Sequence, residues 1–139
     1  MYKSVCCLDL LYRAVKRSQP SAIRLKNGKP KVSSSLFKDE NGVSVDKKMQ
    51  RSEESIIQRF KESFSNRLKG IVTLSEQDVM NANAIVIPKP SGNNPYHAEI
   101  HKSDSEIELT EIQALKLADV CRFVFFDKDK EWTNVGCTN

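Results

Sequence analysis

The feature that most constrains the fold is one amphipathic helix, predicted over residues 53–68, in a chain whose other apolar runs are short. Ser52 can accept the first free amide hydrogens as N-cap, and Glu53 and Glu54 lie at the positive end of the helix dipole. We expect Gly70 to end the segment in a left-handed conformation. The apolar residues recur at spacings of three and four, which makes one stripe: Ile57, Phe60, Phe64 and Leu68.

Short apolar runs around this helix predict β-strands. A polar segment, residues 16–31, contains Asn27-Gly28, the strongest short turn signal, and we expect a loop or a hairpin turn there. In the last run the side chains of His97, Glu99 and His101 share one face of the strand, because successive side chains alternate. The predicted strands are residues 8–15, 32–37, 43–45, 71–74, 84–87 and 96–101.

Two further helices are predicted from capping signals. Ser75 with Asp78 indicates a short helix through Asn81. Thr110 with Gln113 has capping-box spacing before a helix over residues 111–122. The apolar residues of this last helix occupy more than one stripe, so we expect it to be well buried. Residues 123–126 either continue the helix or start a final strand.

These elements predict an α+β fold with a mixed, largely antiparallel sheet of five or six short strands and two principal helices. Residues 1–139 fit a single domain, and we expect the C-terminal tail from about 127 to 139 to be flexible. The chain is 39% hydrophobic and 29% charged, which is typical of a water-soluble domain. We read no signal peptide. The four cysteines form no CxxC pair, so we expect reduced thiols and a cytoplasmic protein without membrane contact.

The positive charge is concentrated in one part of the chain. The net charge is +4, yet residues 12–38 hold eight Lys and Arg and no acid. A cationic surface attracts phosphates, so the segment suggests nucleic-acid binding. The alternative is an exposed edge strand and loop, whose lysines discourage edge-to-edge pairing. The candidate contact residues are Arg13, Arg17, Arg24, Lys26, Lys29 and Lys31.

The His97-Ala98-Glu99 sequence invites a metal interpretation, which the rest of the chain does not complete. Zinc deaminases pair such a histidine and glutamate with a downstream Pro-Cys-x-x-Cys, and this sequence has none. His97, Glu99 and His101 could offer ligands from one face, but no other histidine exists to complete the sphere. We therefore predict no metal site. His97 by itself remains a candidate catalytic or hydrogen-bonding residue.

A second set of residues suggests an enzyme. Arg13 near the end of the first strand, the serine run containing Ser34, and Glu99 on a late strand resemble the Arg–Ser–Glu arrangement of mono-ADP-ribosyltransferases. The resemblance implies that Arg13 holds the NAD phosphate, that Ser34 shapes the nicotinamide pocket and that Glu99 orients a ribose hydroxyl. With His97, these residues form the candidate catalytic set, and NAD is the cofactor under this alternative alone.

A broader pattern covers residues 8–124 and resembles an uncharacterised group of small bacterial proteins. Their shared features are an arginine in the opening strand, a Ser-Ser-x-x-Phe stretch leading to Ser-Val, and Asn-Pro-x-His-Ala. The resemblance implies a bacterial cytosolic accessory protein of a multi-component system, and Glu99 lies outside the pattern. The matching positions are Arg13, Ser34, Phe37, Ser44, Asn94, Pro95, His97 and Ala98.

The leading functional hypothesis is a small interaction module that works with a protein partner. Its predicted contact surface is the loop and strand at residues 88–101, with Asn94, Pro95 and His97 as partner-binding residues. The first alternative is the NAD-using transferase, and the second is nucleic-acid binding through residues 12–38. The sequence does not determine the oligomeric state.

Overall fold

The computed structural model describes residues 8–127, and these form the predicted α+β fold. The predicted tail from about 127 to 139 lies outside the described residues, apart from Asp127. No helix in the described range is long and apolar enough to cross a membrane. In chain order the elements are β1 (Leu10–Lys16), β2 (Ile23–Lys26), β3 (Lys29–Val32), β4 (Val43–Lys47), α1 (Glu53–Phe64), β5 (Leu68–Ser75), α2 (Glu76–Asn81), β6 (Ile85–Pro88), β7 (His97–His101), α3 (Glu111–Val120) and β8 (Arg122–Phe126).

Six of the described strands form one sheet, in the order β6-β7-β4-β1-β5-β8. Each neighbouring pair is antiparallel, so the predicted, largely antiparallel sheet is confirmed. The remaining two strands, β2 and β3, pair only with each other. The last strand, β8, resolves the open choice at residues 123–126 in favour of a strand.

The central strand β1 has a buried core on both of its faces. Tyr12 and Ala14 face α1 and pack with Ile56, Phe60 and other apolar residues of that layer. Leu11 and Val15 alternate with them and face the opposite layer. That layer is covered by the hairpin β2–β3, a short helical turn at Ser34–Phe37, and the helices α2 and α3.

The predicted first helix ends earlier than its apolar stripe suggests. The Ser52 hydroxyl accepts the Ser55 amide, which confirms the N-cap, and the α-helix stops at Phe64. Ser65, directly after the helix, has a positive φ of 54°, so the chain turns there and Gly70 is not the helix stop. Gly70 lies within β5, where an added Cβ would be 3.0 Å from the Phe125 carbonyl oxygen. The close approach of β8 explains that glycine.

The strand predicted over residues 32–37 is wrong in its second half. Ser34–Phe37 is a turn of 3-10 helix that follows β3. Leu36 and Phe37 are both buried in the same layer, which adjacent residues of a strand cannot achieve because their side chains point to opposite faces. The Ser33 and Ser35 hydroxyls donate to the Ser21 carbonyl, and this local bonding competes with a strand ladder.

The polar segment at residues 16–31 contains a hairpin with a tight turn. Asn27 and Gly28 have φ of 55° and 77°, as a two-residue type I′ turn requires. The flanking strands pair Ile23 with Val32 at the base, and both side chains are buried beneath the sheet. The Asn-Gly signal therefore predicts the turn correctly. The hairpin is a short two-stranded ribbon that is attached to the core at its Ile23–Val32 end.

The last helix is buried on one face only, so the expectation that it is well buried is wrong for its outer face. Both capping boxes, at Ser75 and at Thr110, are present. Gln113 is buried and its side-chain amide donates to the carbonyls of Asn83 and Lys102, tying α3 to the chain around β6 and β7. The outer face of α3 is exposed.

We expect Phe60→Ala to lower the free energy of unfolding by about 3–5 kcal/mol, because Phe60 is buried between α1 and the sheet. Urea denaturation followed by circular dichroism measures the loss. Phe64→Ala, at a half-buried position on the same helix, is the matched control and should cost clearly less. An unchanged urea midpoint for Phe60→Ala would contradict the assigned face of α1.

Candidate functional site

A groove of about 420 Å³ runs beside α1, because the helix packs over β1, β5 and β8 and leaves β4 and β7 uncovered. Small side chains on the sheet, Ala14 and Ser44, lie along it. Ser44 is exposed although β4 is an inner strand. Phe60 and Ser63 of α1 line the opposite wall. The volume is in the range of pockets that bind small metabolites.

One end of the groove is a polar cluster around Asp46. The Asp46 carboxylate is buried and accepts a hydrogen bond of 3.1 Å from the Asn94 side-chain amide. His97 lies directly opposite on β7, with 3.8 Å between its Nδ1 and the Asp46 oxygen. The sequence analysis did not identify Asp46, although the Val-Ser-Val-Asp alternation of β4 places Ser44 and Asp46 on its polar face.

A second carboxylate–imidazole pair lies next along β7. His101 Nε2 is 2.8 Å from Glu99 Oε1, and Lys89 Nζ approaches the same oxygen at 3.8 Å. Gly42, just before β4, packs against this pair. A Cβ added there would lie 2.6 Å from Glu99 Oε1. Gly42 has φ of 102°, so a larger residue would be both strained and in collision. Glu99 and His101 are held by their mutual hydrogen bond, and the space that they occupy requires a glycine at position 42.

The loop between β6 and β7 is anchored over the Asp46 end of the groove. The Arg51 guanidinium stacks on the Tyr96 ring at 3.5 Å from its centroid. Arg59 of α1 donates to the Asn93 carbonyl. The predicted partner-binding residues are thus divided: Asn94 is hydrogen-bonded to Asp46 and His97 lies beside it, whereas Pro95 is exposed. Their role in contacting a partner stays a prediction.

The groove offers hydrogen bonding rather than an assembled catalytic set. Neither Ser44 nor Ser63 of the groove forms a hydrogen bond to His97, and nucleophilic catalysis needs such a contact between nucleophile and base. Within residues 8–127 no group of three His, Cys, Asp or Glu is arranged to hold a metal ion. A polar ligand could use the Asp46 carboxylate and the His97 imidazole together.

Arg13 is a structural residue of the core. Its Nε donates to the Leu36 carbonyl at 2.9 Å and its Nη1 to the Ser44 carbonyl at 2.8 Å. Burial lowers the pKa of Arg13 to about 10. The side chain joins the Ser34–Phe37 turn to β4, on the face of the sheet that lies away from α1.

The structure does not bring together the residues of the transferase hypothesis. Ser34 donates to Glu111 of α3, on the same side of the sheet as Arg13. Glu99 lies on the other side, in register with Ser44. Since the six-stranded sheet separates Glu99 from the other two, the three side chains do not line one NAD pocket.

Four of the six predicted nucleic-acid contacts share one face of the hairpin. The register pairs Arg24 directly with Lys31, and Lys26 directly with Lys29. Residues directly opposite in an antiparallel pair point to the same side, and so do residues two apart. All four are exposed, and none forms an ion pair with another described residue. We call these four residues the basic ribbon.

The other two predicted contacts are buried away from that surface. Arg13 is engaged with backbone carbonyls, as described above. Arg17 is also buried and forms an ion pair of 2.7 Å with Asp127, which joins the end of β1 to the end of β8. The position of Arg13 within the apolar strand β1 and of Arg17 directly after it was the signal that could have separated the buried cations from those of the hairpin.

Comparison of the chain with protein-family models, with characterised proteins and with solved structures finds no match. The motif resemblances therefore stay predictions, and function has to be argued from the geometry of these surfaces.

We expect Arg13→Met to lower the free energy of unfolding by about 2–4 kcal/mol. Each buried carbonyl that loses its donor costs about 1–3 kcal/mol, and removing a desolvated charge offsets part of that loss. Urea denaturation measures the change. Arg24→Met, at an exposed arginine of the basic ribbon, is the control and should stay within about 0.5 kcal/mol of the parent. Equal stability of both variants would contradict the structural role of Arg13.

We expect the Cys121 thiol to react slowly in the folded protein. Burial raises its pKa from 9.0 to about 12, and its Sγ donates to the Ala118 carbonyl. Since folding retains the proton, the free energy of unfolding should fall as the pH rises from 9 towards 12. Mass spectrometry of iodoacetamide-treated protein at pH about 8 should show alkylation at least about tenfold slower than in urea. Equal rates in the two conditions would contradict the burial.

Proposed function

We propose that this protein binds duplex DNA through the basic ribbon. The observation that carries the proposal is the alignment of Arg24, Lys26, Lys29 and Lys31 on one exposed face with no acid among them. The segment 103–121, which includes α3 on the same side of the sheet, carries five acids and one base, so the two charges are segregated rather than mixed. A polyanion would be directed to the ribbon by that difference.

The direct pairing of like charges supports a ligand rather than a purely structural role. Cations opposite one another across two strands destabilise a hairpin by roughly 0.2–1 kcal/mol for each pair. The ribbon contains two such pairs. Lysines that only protect an edge do not need to oppose each other. Phosphate groups placed over the ribbon would relieve this repulsion.

The dimensions of the ribbon suit a DNA duplex. Two strands lie about 4.8 Å apart and residues two apart are separated by about 7 Å, so the four charges form a compact patch. The major groove of B-DNA is about 12 Å wide and admits a two-stranded ribbon. The major groove of duplex RNA is deep and narrow, which disfavours the same insertion. DNA duplexes are therefore the preferred ligand of the proposal.

The other functional hypotheses have less geometric support. The transferase hypothesis requires Arg13, Ser34 and Glu99 around one NAD molecule, whereas the sheet separates them. The interaction-module hypothesis at residues 88–101 rests on an anchored loop in which Pro95 is the predicted contact left exposed. Neither accounts for the cations of the hairpin.

We expect Lys26→Gln/Lys29→Gln to weaken binding to a short fluorescein-labelled DNA duplex, measured by fluorescence anisotropy over a salt series. With four phosphate contacts, log Kd of the parent should change with log salt with a slope of magnitude about 3–4. Removal of two cations should reduce that magnitude to about 2. The variant should keep or slightly raise its melting temperature, because a repelling pair is removed.

Lys61→Gln/Lys116→Gln is the matched control, since both lysines are exposed and the net charge changes equally. It should leave affinity and salt slope close to those of the parent. An equal loss in the control would show that net charge alone drives binding. Absence of binding at low salt would refute the proposal outright, and stronger binding to an RNA duplex would refute its major-groove part.

A further inference from the structure

The outer face of α3 is more apolar than a solvated helix surface should be. Ala114 and Leu117 are buried against the sheet, whereas Ile112 is 68% exposed. Each residue advances about 100° around the axis, so Ile112 lies about half a turn from Ala114, at the centre of the outer face. Leu115 and Val120 flank it and are 47% and 50% exposed. Lys116 and Asp119 share this outer face, so its apolar part consists of Ile112, Leu115 and Val120.

The exposed apolar residues are concentrated around this helix. Five of the seven large apolar side chains that are exposed in residues 8–127 lie on α2, on α3 or just before α3. Scattered single residues of this kind need no explanation, but a group on adjoining elements indicates a contact surface. These five residues are Met80, Ile107, Ile112, Leu115 and Val120.

The charges around that surface specify the partner. Residues 103–121 contain five acids and one base, Lys116. Glu106 is paired with Lys102 and Glu111 with Lys38, which leaves Asp104, Glu108 and Asp119 without an ion pair among the described residues. Acidic groups around an apolar centre are complementary to a partner with an apolar stripe and basic flanks. An amphipathic helix presents its apolar residues in such a stripe.

Other occupants fit this surface less well. A second α3 would bring two acidic borders together, which is repulsive. The basic ribbon of a second copy has the right charge, but its apolar residues Ile23 and Val32 are buried on the opposite face. Leu25 is the exposed large apolar residue of that hairpin, and a single side chain forms no stripe that could cover Ile112, Leu115 and Val120 together. Membranes with anionic lipids would repel the acids.

We propose that the outer face of α3 docks a basic amphipathic helix of a partner protein. Ile112, Leu115 and Val120 receive its apolar stripe, and Glu108 and Asp119 pair with its cations. This surface lies apart from both the basic ribbon and the groove beside α1, so its occupation leaves each of them open.

The test uses a synthetic amphipathic helical peptide of Leu and Lys, labelled with fluorescein, and a peptide of the same composition whose order destroys the apolar stripe. Fluorescence anisotropy should show that the parent protein prefers the ordered peptide. Ile112→Ser/Leu115→Ser should weaken that binding at least about tenfold. Both positions are exposed, so the variant should keep the melting curve of the parent.

Leu25→Ser/Met49→Ser is the control, since it removes two apolar residues of similar exposure away from α3. It should bind the ordered peptide like the parent. Equal affinity for the two peptides, or an equal loss in the control, would overturn the proposal. Sedimentation velocity on the parent protein gives one further outcome. A dimer that disappears in Ile112→Ser/Leu115→Ser would overturn it in favour of a second copy.

Discussion

The burial of Arg13 in the central strand is the constraint on which much of the remaining structure depends. A guanidinium in the core needs hydrogen-bond acceptors, and here these are the backbone carbonyls of Leu36 and Ser44. The hydrogen bond to Leu36 holds the Ser34–Phe37 turn against the sheet, and the hydrogen bond to Ser44 holds β4 beside β1. The same turn also contacts α3, because the Ser34 hydroxyl donates a hydrogen bond to the Glu111 carboxylate. One polar side chain therefore links three elements that are distant in sequence.

Unequal coverage of the sheet produces the groove. Helix α1 is twelve residues long and packs over half of the six strands, so the polar faces of β4 and β7 remain open beside it. The carboxylates there have hydrogen-bond partners, Asn94 for Asp46 and His101 for Glu99, which limits the cost of partial burial. The polar groups at that end of the groove are consequently held by contacts within the protein.

Opposite charges are segregated on the side of the sheet away from α1. The basic ribbon extends from one part of that layer, and α3 presents apolar and acidic residues from another. A nucleic acid attracted to the ribbon would be repelled by α3, and a basic helix attracted to α3 would be repelled by the ribbon. Under the two proposals, one domain would hold a nucleic acid at the ribbon and a protein helix at α3.

The sequence by itself determined the elements whose signals are local, and the tertiary structure decided how those elements use their faces. Ser52, Ser75 and Thr110 cap helices within three residues, and Asn27-Gly28 turns a hairpin within two, so these features could be predicted. The roles of Gly70 and Arg13, and the exposure of Ile112, depend on elements far away in the chain. The order of the strands and the coverage of the sheet arise from contacts between segments that are distant in sequence. No local pattern specifies which of those segments will pack against a given element.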